Sequence, residues 1–445
     1  MKIKMRYCGS TSDWGLHSKI GKPRVFPKNY SARCTKTLWK CAPPPKITSK
    51  PISTTLSMEL KSSVKFDPET FDRLQKRIKD LSTTKKALFT NPTYASPIPT
   101  EVDIQLTYAC NLRCKMCYQW NDDGYFHSYN KEIQNKEIAV DIFQKILQET
   151  HPAKSRLYLW GGEPLYHTKW DEIADLLEKD KRYTVMCTNG ILLEKRMESL
   201  LKISDNLALL VSIDGLGEVN DALRGKKTFE KLIKQVKLVL EEQKNGNYKG
   251  TVSVNVVLND ELVPHLYEFV EYFEDLGIDS IYFNYPWFIS TERAELMDRF
   301  YAENFAHHDS TPSHSVASWH SYSFKLSPQS AEVLNEQIFK LNSRVWKLRV
   351  RFQQQLEANE INDFILDTYV PKKKCYALSN RIEVLADGKV GTCSKFFPEL
   401  SIGDLNSHSL LEIWNSGKFN YLRNILSKGL MPVCSKCVLL YRNGI

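Results

Sequence analysis

Three cysteines lie close together in the segment Cys110-Asn-Leu-Arg-Cys114-Lys-Met-Cys117. Their thiolates could bind three irons of a cubane iron-sulfur cluster, and the fourth iron would then have no protein ligand. An iron with an open position can bind a reactant, as the open position of a catalytic zinc does. A zinc site is the alternative, but tetrahedral zinc needs four ligands and no fourth Cys or His lies close by in the sequence. The segment therefore predicts an iron-sulfur cluster with one open iron.

A second candidate site near the carboxyl end consists of Cys375, Cys393, Cys434 and Cys437. Four ligands would saturate a zinc ion or give each iron of a 4Fe-4S cluster one thiolate, and the spacing does not decide between the two. A saturated cluster cannot bind a reactant, but it can carry electrons. These residues are therefore predicted to form a small metal-organised domain.

The remaining cysteines are Cys187 and three near the amino end that match no compact site, namely Cys8, Cys34 and Cys41. Eleven cysteines in a chain with no export signal argue against a disulfide scaffold and for metal or redox use. No stretch approaches the ~20 apolar residues that cross a bilayer, so no membrane association and a cytoplasmic location are predicted.

The net charge of +9 comes from the amino-terminal arm. Residues 1–58 contain twelve Lys or Arg and one acidic residue, whereas the rest of the chain contains 49 basic and 51 acidic residues. A Pro- and Ser-rich basic arm is usually a solvated extension, although it could also dock an acidic partner or serve as an organellar transit peptide. The nearly neutral body offers no basic stripe for a nucleic acid, so nucleic acid is not expected as a partner.

Predicted strands and helices alternate from residue 101 onward. The strands are predicted at 102–107, 156–160, 183–187, 207–213, 251–258 and 280–285. Amphipathic helices between them make six β/α units, so the predicted fold is α/β, a partial (β/α)6 TIM-like barrel with parallel strands. A further helix is predicted over 66–88, with Asp67 as its N-cap.

This pattern divides the chain into five parts. They are a basic arm (1–65), a helical lead-in (66–100), a barrel (101–288), a linker or lid region (289–374) with a strand-like segment at 348–352, and a cluster domain (375–445).

Glycines and polar residues follow the strands, at the edge where barrel enzymes place their chemistry. The second strand is followed by Gly161-Gly162-Glu163-Pro164. Its glycines allow close approach of a ligand, and its carboxylate could accept hydrogen bonds from an ammonium group. Polar side chains at the ends of the third to sixth strands are Cys187, Ser212, Asp214, Asn255 and Asn284. Asn284, and Arg224 between the fourth and fifth strands, are most simply interpreted as loop caps, although Arg224 could instead bind a carboxylate of the ligand.

With Cys-x3-Cys-x2-Cys directly after its first strand, the chain resembles the radical S-adenosylmethionine (SAM) superfamily. The resemblance implies that the first three cysteines hold a 4Fe-4S cluster whose open iron is chelated by SAM. Met116 stands where the family often has an aromatic residue, and Tyr118 follows. Residues assigned to the cofactor by this resemblance are Gly161, Gly162, Glu163, Pro164, Ser212, Asp214, Asn255 and Tyr118. Some radical epimerases use a thiol as hydrogen donor, and Cys187 is the candidate here, although a buried structural thiol is the alternative.

The carboxyl-terminal cysteines resemble those of a twitch domain, the abbreviated form of the SPASM domain. This resemblance implies one auxiliary 4Fe-4S cluster, because a full SPASM domain would have three more cysteines after Cys437. The spacing alone leaves zinc open, as noted above.

The resemblance as a whole implies a radical SAM oxidoreductase. Such an enzyme cleaves SAM reductively to a 5′-deoxyadenosyl radical that abstracts a substrate hydrogen, with flavodoxin or ferredoxin as reducing partner and the auxiliary cluster as electron acceptor. The expected reaction is oxidation of an alcohol to a ketone on a sugar or aminocyclitol intermediate in natural-product biosynthesis. One alternative is oxidative cross-linking or epimerisation of a ribosomally made precursor peptide, and another is a non-catalytic, metal-stabilised binding protein.

Overall fold

A computed structural model describes residues 60–305, 317–391, 393 and 400–443. They lie within one compact unit, Thr54–Ile445. Residues 1–59 of the predicted basic arm, which include its three cysteines, lie outside the described residues.

The strands of the structure are β1 (Glu101–Gln105), β2 (Arg156–Trp160), β3 (Thr184–Thr188), β4 (Leu207–Ser212), β5 (Val252–Val257), β6 (Ser280–Asn284), β7 (Arg349–Phe352), β8 (Arg381–Val384), β9 (Lys389–Gly391) and β10 (Gly403–Asp404). They form one sheet in the order β10-β9-β8-β1-β2-β3-β4-β5-β6-β7. Neighbouring strands from β8 through β1 to β7 are parallel, and β9 and β10 are antiparallel to their neighbours. The six predicted strands are thereby confirmed to within one or two residues.

The helices are α1 (Pro68–Thr90), α2 (Lys131–Gln134), α3 (Val140–Thr150), α4 (Trp170–Lys179), α5 (Met197–Lys202), α6 (Glu218–Arg224), α7 (Thr228–Lys244), α8 (Leu266–Leu276), α9 (Thr291–Asn304), α10 (Ser330–Asn342), α11 (Ile361–Ile365), α12 (Leu410–Trp414), α13 (Gly417–Lys428) and α14 (Val438–Asn443). Helix α1 begins as predicted, because the Asp67 side chain accepts a hydrogen bond from the Thr70 N–H at 2.7 Å. Within the described ranges, no helix has the length and apolar character that a membrane span requires.

Helices cover the outer face of the sheet. All six residues of β4 are buried, as expected for a parallel strand enclosed on both faces. Helix α4 shows the matching pattern, since Trp170, Ile173, Ala174 and Leu177 are buried at helical spacing. Leu207, Leu209 and Val211 of β4 share one continuous hydrophobic core with these α4 residues. Ala208 and Leu210, on the other face of β4, belong to a separate cluster.

The sheet extends beyond the six predicted strands at both edges. Strand β7, from the region interpreted as a linker, pairs with β6, and β8, from the predicted cluster domain, pairs with β1. Without them, β1 and β6 would expose unpaired backbone N–H and C=O groups. The region 289–374 therefore contributes to the sheet itself, and the carboxyl-terminal part shares that sheet rather than folding apart from it.

Candidate active site

The loop after β1 carries Cys110, Cys114 and Cys117, all half-buried at the carboxyl edge of the parallel strands. Nitrogen donors are directed at two of the sulfurs. The Leu112 N–H donates to Cys110 Sγ at 3.4 Å, and Arg224 Nη1 donates to Cys114 Sγ at 3.8 Å. Hydrogen bonds to sulfur stabilise its negative charge, so these donors favour thiolates at the loop.

Burial raises the pKa of all three bare thiols, and it raises the pKa of Cys114 to about 11. Bare thiols would therefore remain protonated at neutral pH, and bound iron would be needed to hold them as thiolates. In the part of the chain that the structure describes, no three His, Cys, Asp or Glu side chains converge on a single metal-ion position. In a cubane each thiolate binds a different iron, so three thiolates would leave the fourth iron open. The loop thus fits a 4Fe-4S cluster.

The turn Gly161–Pro164 after β2 packs on the backbone that leads into this loop. The Gly162 N–H donates to the Thr107 carbonyl at 2.8 Å, and the Glu163 N–H donates to the Ala109 carbonyl at 3.0 Å. A Cβ atom at position 162 would lie 2.1 Å from the Ala109 carbonyl oxygen, so only glycine fits without a backbone shift. The turn and the cysteine loop are therefore positioned by direct backbone contact.

The Glu163 carboxylate lies behind that turn and is buried, with its oxygens engaged by the protein. Oε1 accepts from the Leu165 N–H at 3.1 Å and from Thr188 Oγ1 at 2.6 Å, and Oε2 accepts from the Asn189 N–H at 2.7 Å. Burial raises the pKa of Glu163 against the opposing effect of these donors. Of the turn's four residues, all of them described, only Gly161 and Gly162 line the cavity beside the cysteine loop. Glu163 therefore joins the turns after β2 and β3.

Asp214, after β4, is also enclosed and positions Arg224. Arg224 Nε donates to Asp214 Oδ2 at 2.6 Å, and the Val257 N–H donates to Oδ1 at 2.7 Å. Burial opposes the charge of Arg224, but Asp214 and the Cys114 sulfur outweigh it and raise the pKa of Arg224. Arg224 lines the cavity, and its side chain bonds to Asp214 and Cys114, which differs from the predicted loop cap.

Three further polar residues share one wall of the cavity. Ser212 and Asn255 are register partners on β4 and β5, and Asn284 Nδ2 donates to Asn255 Oδ1 at 2.9 Å. Cys187 is half-buried beside them, with its Sγ 3.8 Å from Ser212 Oγ. All four residues line the cavity. The role of Cys187 as hydrogen donor stays a prediction.

Tyr118, directly after the third cysteine, is held in an aromatic stack. Its ring centroid lies 4.4 Å from that of Tyr322 at an interplanar angle of 15°, and 5.8 Å from that of Trp287 at 29°. All three rings line the cavity. Trp287 and Tyr322 lie in loops without a local motif, so the sequence carried no signal for them. Tyr158 was also missed, although it alternates with Arg156 and Trp160 along β2 and so shares their face.

The four carboxyl-terminal thiols lie close to one another. Burial, followed by the neighbouring Cys437, raises the pKa of Cys375 to about 12. The pKa of Cys393 is also raised by burial, and then by Cys437, Cys375 and Cys434. Cys437 is buried and the other three are half-buried. Neighbouring thiols that oppose each other's ionisation need a multivalent cationic centre to become thiolates. This set fits a fully ligated iron-sulfur cluster.

A cavity of about 990 Å³ runs along the inner face of the sheet. It is bounded at one end by the cysteine loop and at the other by α1 and α14, with inward-facing residues of β2–β7 between them. The three cysteines of the first site and the glycines of the turn after β2 open into this space. The structure therefore joins the first cluster site to a chamber large enough for reactants.

Comparison with known families agrees with this geometry. Residues 104–284 match the radical SAM superfamily, and residues 375–438 match SPASM, an iron-sulfur cluster-binding domain. The chain therefore belongs to the radical SAM superfamily and is an enzyme of the SPASM type. Its cofactors are SAM with the radical SAM iron-sulfur cluster, and an auxiliary iron-sulfur cluster.

The curated proteins that this chain resembles include a cofactor-modifying protein, a biosynthesis protein and a maturase. A tungsten-containing aldehyde ferredoxin oxidoreductase cofactor-modifying protein of Pyrococcus furiosus is 24% identical over 362 residues, which cover 76% of this chain and 86% of that protein. The subtilosin biosynthesis protein AlbA of Bacillus subtilis is 27% identical, over 43% of this chain and 40% of its own length. The mycofactocin maturase MftC of Mycolicibacterium smegmatis is 28% identical, over 37% of this chain and 39% of its own length. The chain thus matches less than half the length of the last two.

Among solved structures, Streptococcus suis SuiB aligns with a TM-score of 0.52 at 16% identity, covering 84% of this chain and 79% of that one. SuiB bound to its precursor peptide SuiA aligns with a TM-score of 0.51 at 17% identity, covering 80% of this chain and 71% of the SuiB chain. At these identities the likeness supports the fold.

Proposed function

We propose that this enzyme modifies a peptide oxidatively, by abstracting a hydrogen atom from it with the radical that SAM cleavage provides. Two of the relatives above are named for peptide products or maturation, and the structural neighbour SuiB binds a precursor peptide. The sugar or aminocyclitol expected from the sequence has no support among these relatives. Peptide maturation, the alternative reading of the sequence, is therefore the leading proposal.

The observation that carries this proposal is the continuous cavity that begins at the cysteine loop. Its volume of about 990 Å³ lies near the upper end of the range, roughly 300–1,000 Å³, typical of small-ligand pockets. SAM bound at the loop would occupy only one end of it. The remainder could admit several residues of an extended chain, with the reacting C–H bond held beside SAM.

The residues of the chain then have distinct tasks. The backbone at Gly161 and Gly162, with Ser212, Asn255 and Arg224, would bind SAM at the loop, and Tyr118 with its aromatic stack would exclude water. When bound, the first cluster would supply the electron that cleaves SAM into methionine and the radical, and the auxiliary cluster would accept the electron released as the substrate radical is oxidised. Flavodoxin or ferredoxin is the proposed electron donor, and the cytoplasm the proposed location.

The cofactor content is tested by anaerobic reconstitution of the full chain with iron and sulfide. About eight irons per chain and slow release of 5′-deoxyadenosine from SAM are expected for two cubane clusters. About four irons with a zinc ion would instead make the carboxyl-terminal site structural. Metal without any 5′-deoxyadenosine would favour the non-catalytic binding protein.

The substrate class is tested by hydrogen transfer. The reconstituted enzyme is offered a deuterated peptide digest or a deuterated sugar and aminocyclitol mixture, and the mass of the 5′-deoxyadenosine is measured. Deuterium in 5′-deoxyadenosine from the peptide digest alone is expected. Label from the sugar mixture alone would contradict the peptide proposal.

A further inference from the structure

The end of the cavity opposite the cysteine loop is lined by arginines, which we call the arginine floor: Arg77, Arg156, Arg349 and Arg442. Arg156 and Arg349 are the first residues of β2 and β7, so their side chains lie at the amino-terminal ends of the parallel strands. Arg77 comes from α1 and Arg442 from α14, which bound the same end. Four elements distant in the sequence thus bring guanidinium groups to one place.

One buried carboxylate, Glu101, faces three of these arginines. Its Oε2 lies 3.3 Å from Arg156 Nη1 and 3.7 Å from Arg77 Nη1, and its Oε1 lies 3.7 Å from Arg442 Nη2. Burial alone would raise the pKa of Glu101, but Arg156, Arg442 and Arg77 outweigh it and hold that pKa below its usual range. Arg349 forms no salt bridge with any described residue and instead donates to the Lys65 carbonyl at 3.1 Å. The floor therefore carries more positive than negative charge.

Two further observations agree with an excess of positive charge at the floor. Arg156 Nε is buried and, among the described residues, has no hydrogen-bond partner. Burial and then the nearby Arg442 lower the pKa of Arg77 to about 10. The neighbouring Arg381 does not add to the excess, because it is paired with both Asp103 and Glu383. A buried cluster with surplus guanidinium groups is stabilised by an anion that accepts their hydrogen bonds.

We infer that the arginine floor binds a carboxylate of the substrate while the reacting C–H bond lies at the other end of the cavity. This inference rests on the proposed peptide substrate and names the group that anchors it. Guanidinium groups recognise carboxylates through paired N–H donors, and a low-dielectric cavity strengthens that interaction. The carboxylate is either the chain end of the peptide or an acidic side chain.

The length of the cavity sets the position of that carboxylate. From Arg156 to Trp160, β2 rises by about 13 Å at roughly 3.3 Å per residue. Trp160 and Cys187 line the cavity at the end nearer the cysteine loop. An extended peptide covers about 13 Å with about four residues. The anchored carboxylate is therefore about four residues from the position of hydrogen abstraction.

The test uses the reconstituted full chain with SAM and three probes: acetyl-tetraalanine with a free carboxyl end, its carboxyl-terminal amide, and an amidated tetrapeptide with one Glu. Dissociation constants are measured by anaerobic titration calorimetry. The free acid is expected to bind at least about tenfold more tightly than its neutral amide, the loss typical of one charge-assisted hydrogen-bonded pair. Tighter binding of the Glu peptide than of the free acid would assign the anchor to a side chain. Binding of the free acid alone would assign it to the chain end.

Arg442→Gln and Arg156→Gln are expected to reduce this acid-to-amide preference to less than about threefold. Lys85→Gln, at an exposed position of α1 away from the cavity, keeps the preference and is the matched control. Urea unfolding midpoints check that each variant is folded, and Arg442→Gln provides the second variant if Arg156→Gln unfolds. No acid-to-amide preference in the native enzyme, or a full preference in both floor variants, overturns the inference. The proposed function is tested separately by 5′-deoxyadenosine release and deuterium transfer.

Discussion

Replacing Glu163 with Gln is expected to destabilise the turns after β2 and β3, which the buried Glu163 carboxylate holds together beside the cavity. The substitution keeps the shape of the side chain and changes one acceptor oxygen into an NH2 donor. If the amide nitrogen takes the place of Oε2, it faces the Asn189 N–H, and if it takes the place of Oε1, it faces the Leu165 N–H. In either orientation one buried backbone donor loses its acceptor.

The expected loss of stability follows from this one unsatisfied backbone donor. A buried donor left without a partner costs about 1–3 kcal/mol. The other hydrogen bonds weaken as the charge is removed, whereas the neutral amide no longer carries the burial penalty that raises the pKa of Glu163. These two effects oppose each other, so the free energy of unfolding is expected to fall by about 1–3 kcal/mol. Any loss of SAM affinity should be indirect, because it would come from a less ordered turn after β2 and not from a lost contact between Glu163 and SAM.

The assay pairs urea unfolding of the iron-free chain with SAM binding to the reconstituted enzyme. Glu172→Gln is the matched control, because Glu172 is 56% exposed and lies 3.6 Å from Lys169. Its unfolding free energy should change by less than about 0.5 kcal/mol. If Glu163→Gln leaves the unfolding free energy unchanged but weakens SAM binding tenfold or more, the carboxylate contacts SAM directly and the reasoning is refuted.

Three further predictions concern pH, a close backbone contact and the second cluster. His167 is buried as a neutral ring, with Nε2 donating to the Ile138 carbonyl at 3.0 Å, and burial lowers its pKa from an ordinary 6.5. Below about pH 6.5 the unfolded chain then binds more protons, so stability falls with decreasing pH, and His167→Gln should flatten this slope in urea unfolding measured from pH 7.5 to 5.5. Gly162→Ala should force the cysteine loop to shift and so reduce iron incorporation, whereas Gly417→Ala, whose new Cβ would meet nothing within 4 Å, should leave the iron content unchanged. Cys375→Ala should lower the iron content from about eight to about four per chain while 5′-deoxyadenosine release from SAM persists, and loss of that release would show that the two sites are not independent.

Much of the fold was predictable because its signals are local. The six strands of the core are short apolar runs between turn residues, and this pattern places them regardless of their neighbours. The start of α1 is equally local, because Asp67 caps the backbone only three residues away. The two cysteine sets carry their chemistry in residue type and spacing, which is why they indicated the family.

The additional strands required the tertiary structure. Strand β7 has four residues and β8 also has four, and neither segment by itself shows which strand it will join. Their positions follow from the exposed backbone edges of β6 and β1, which lie far away in the sequence. Long-range pairing of this kind depends on the assembled sheet.

The sequence by itself determined which residue types follow each strand, and therefore the class of chemistry at that edge. The tertiary structure decided which of these side chains face the cavity and which face the protein. Glu163 and Asp214 are polar loop residues like Ser212, yet their carboxylates are engaged by backbone donors and by Arg224, whereas Ser212 lines the cavity. The arginine floor likewise exists only after α1, β2, β7 and α14 meet. A polar residue has the same identity whether its partner is a ligand or a buried N–H, and only the packing of distant segments selects that partner.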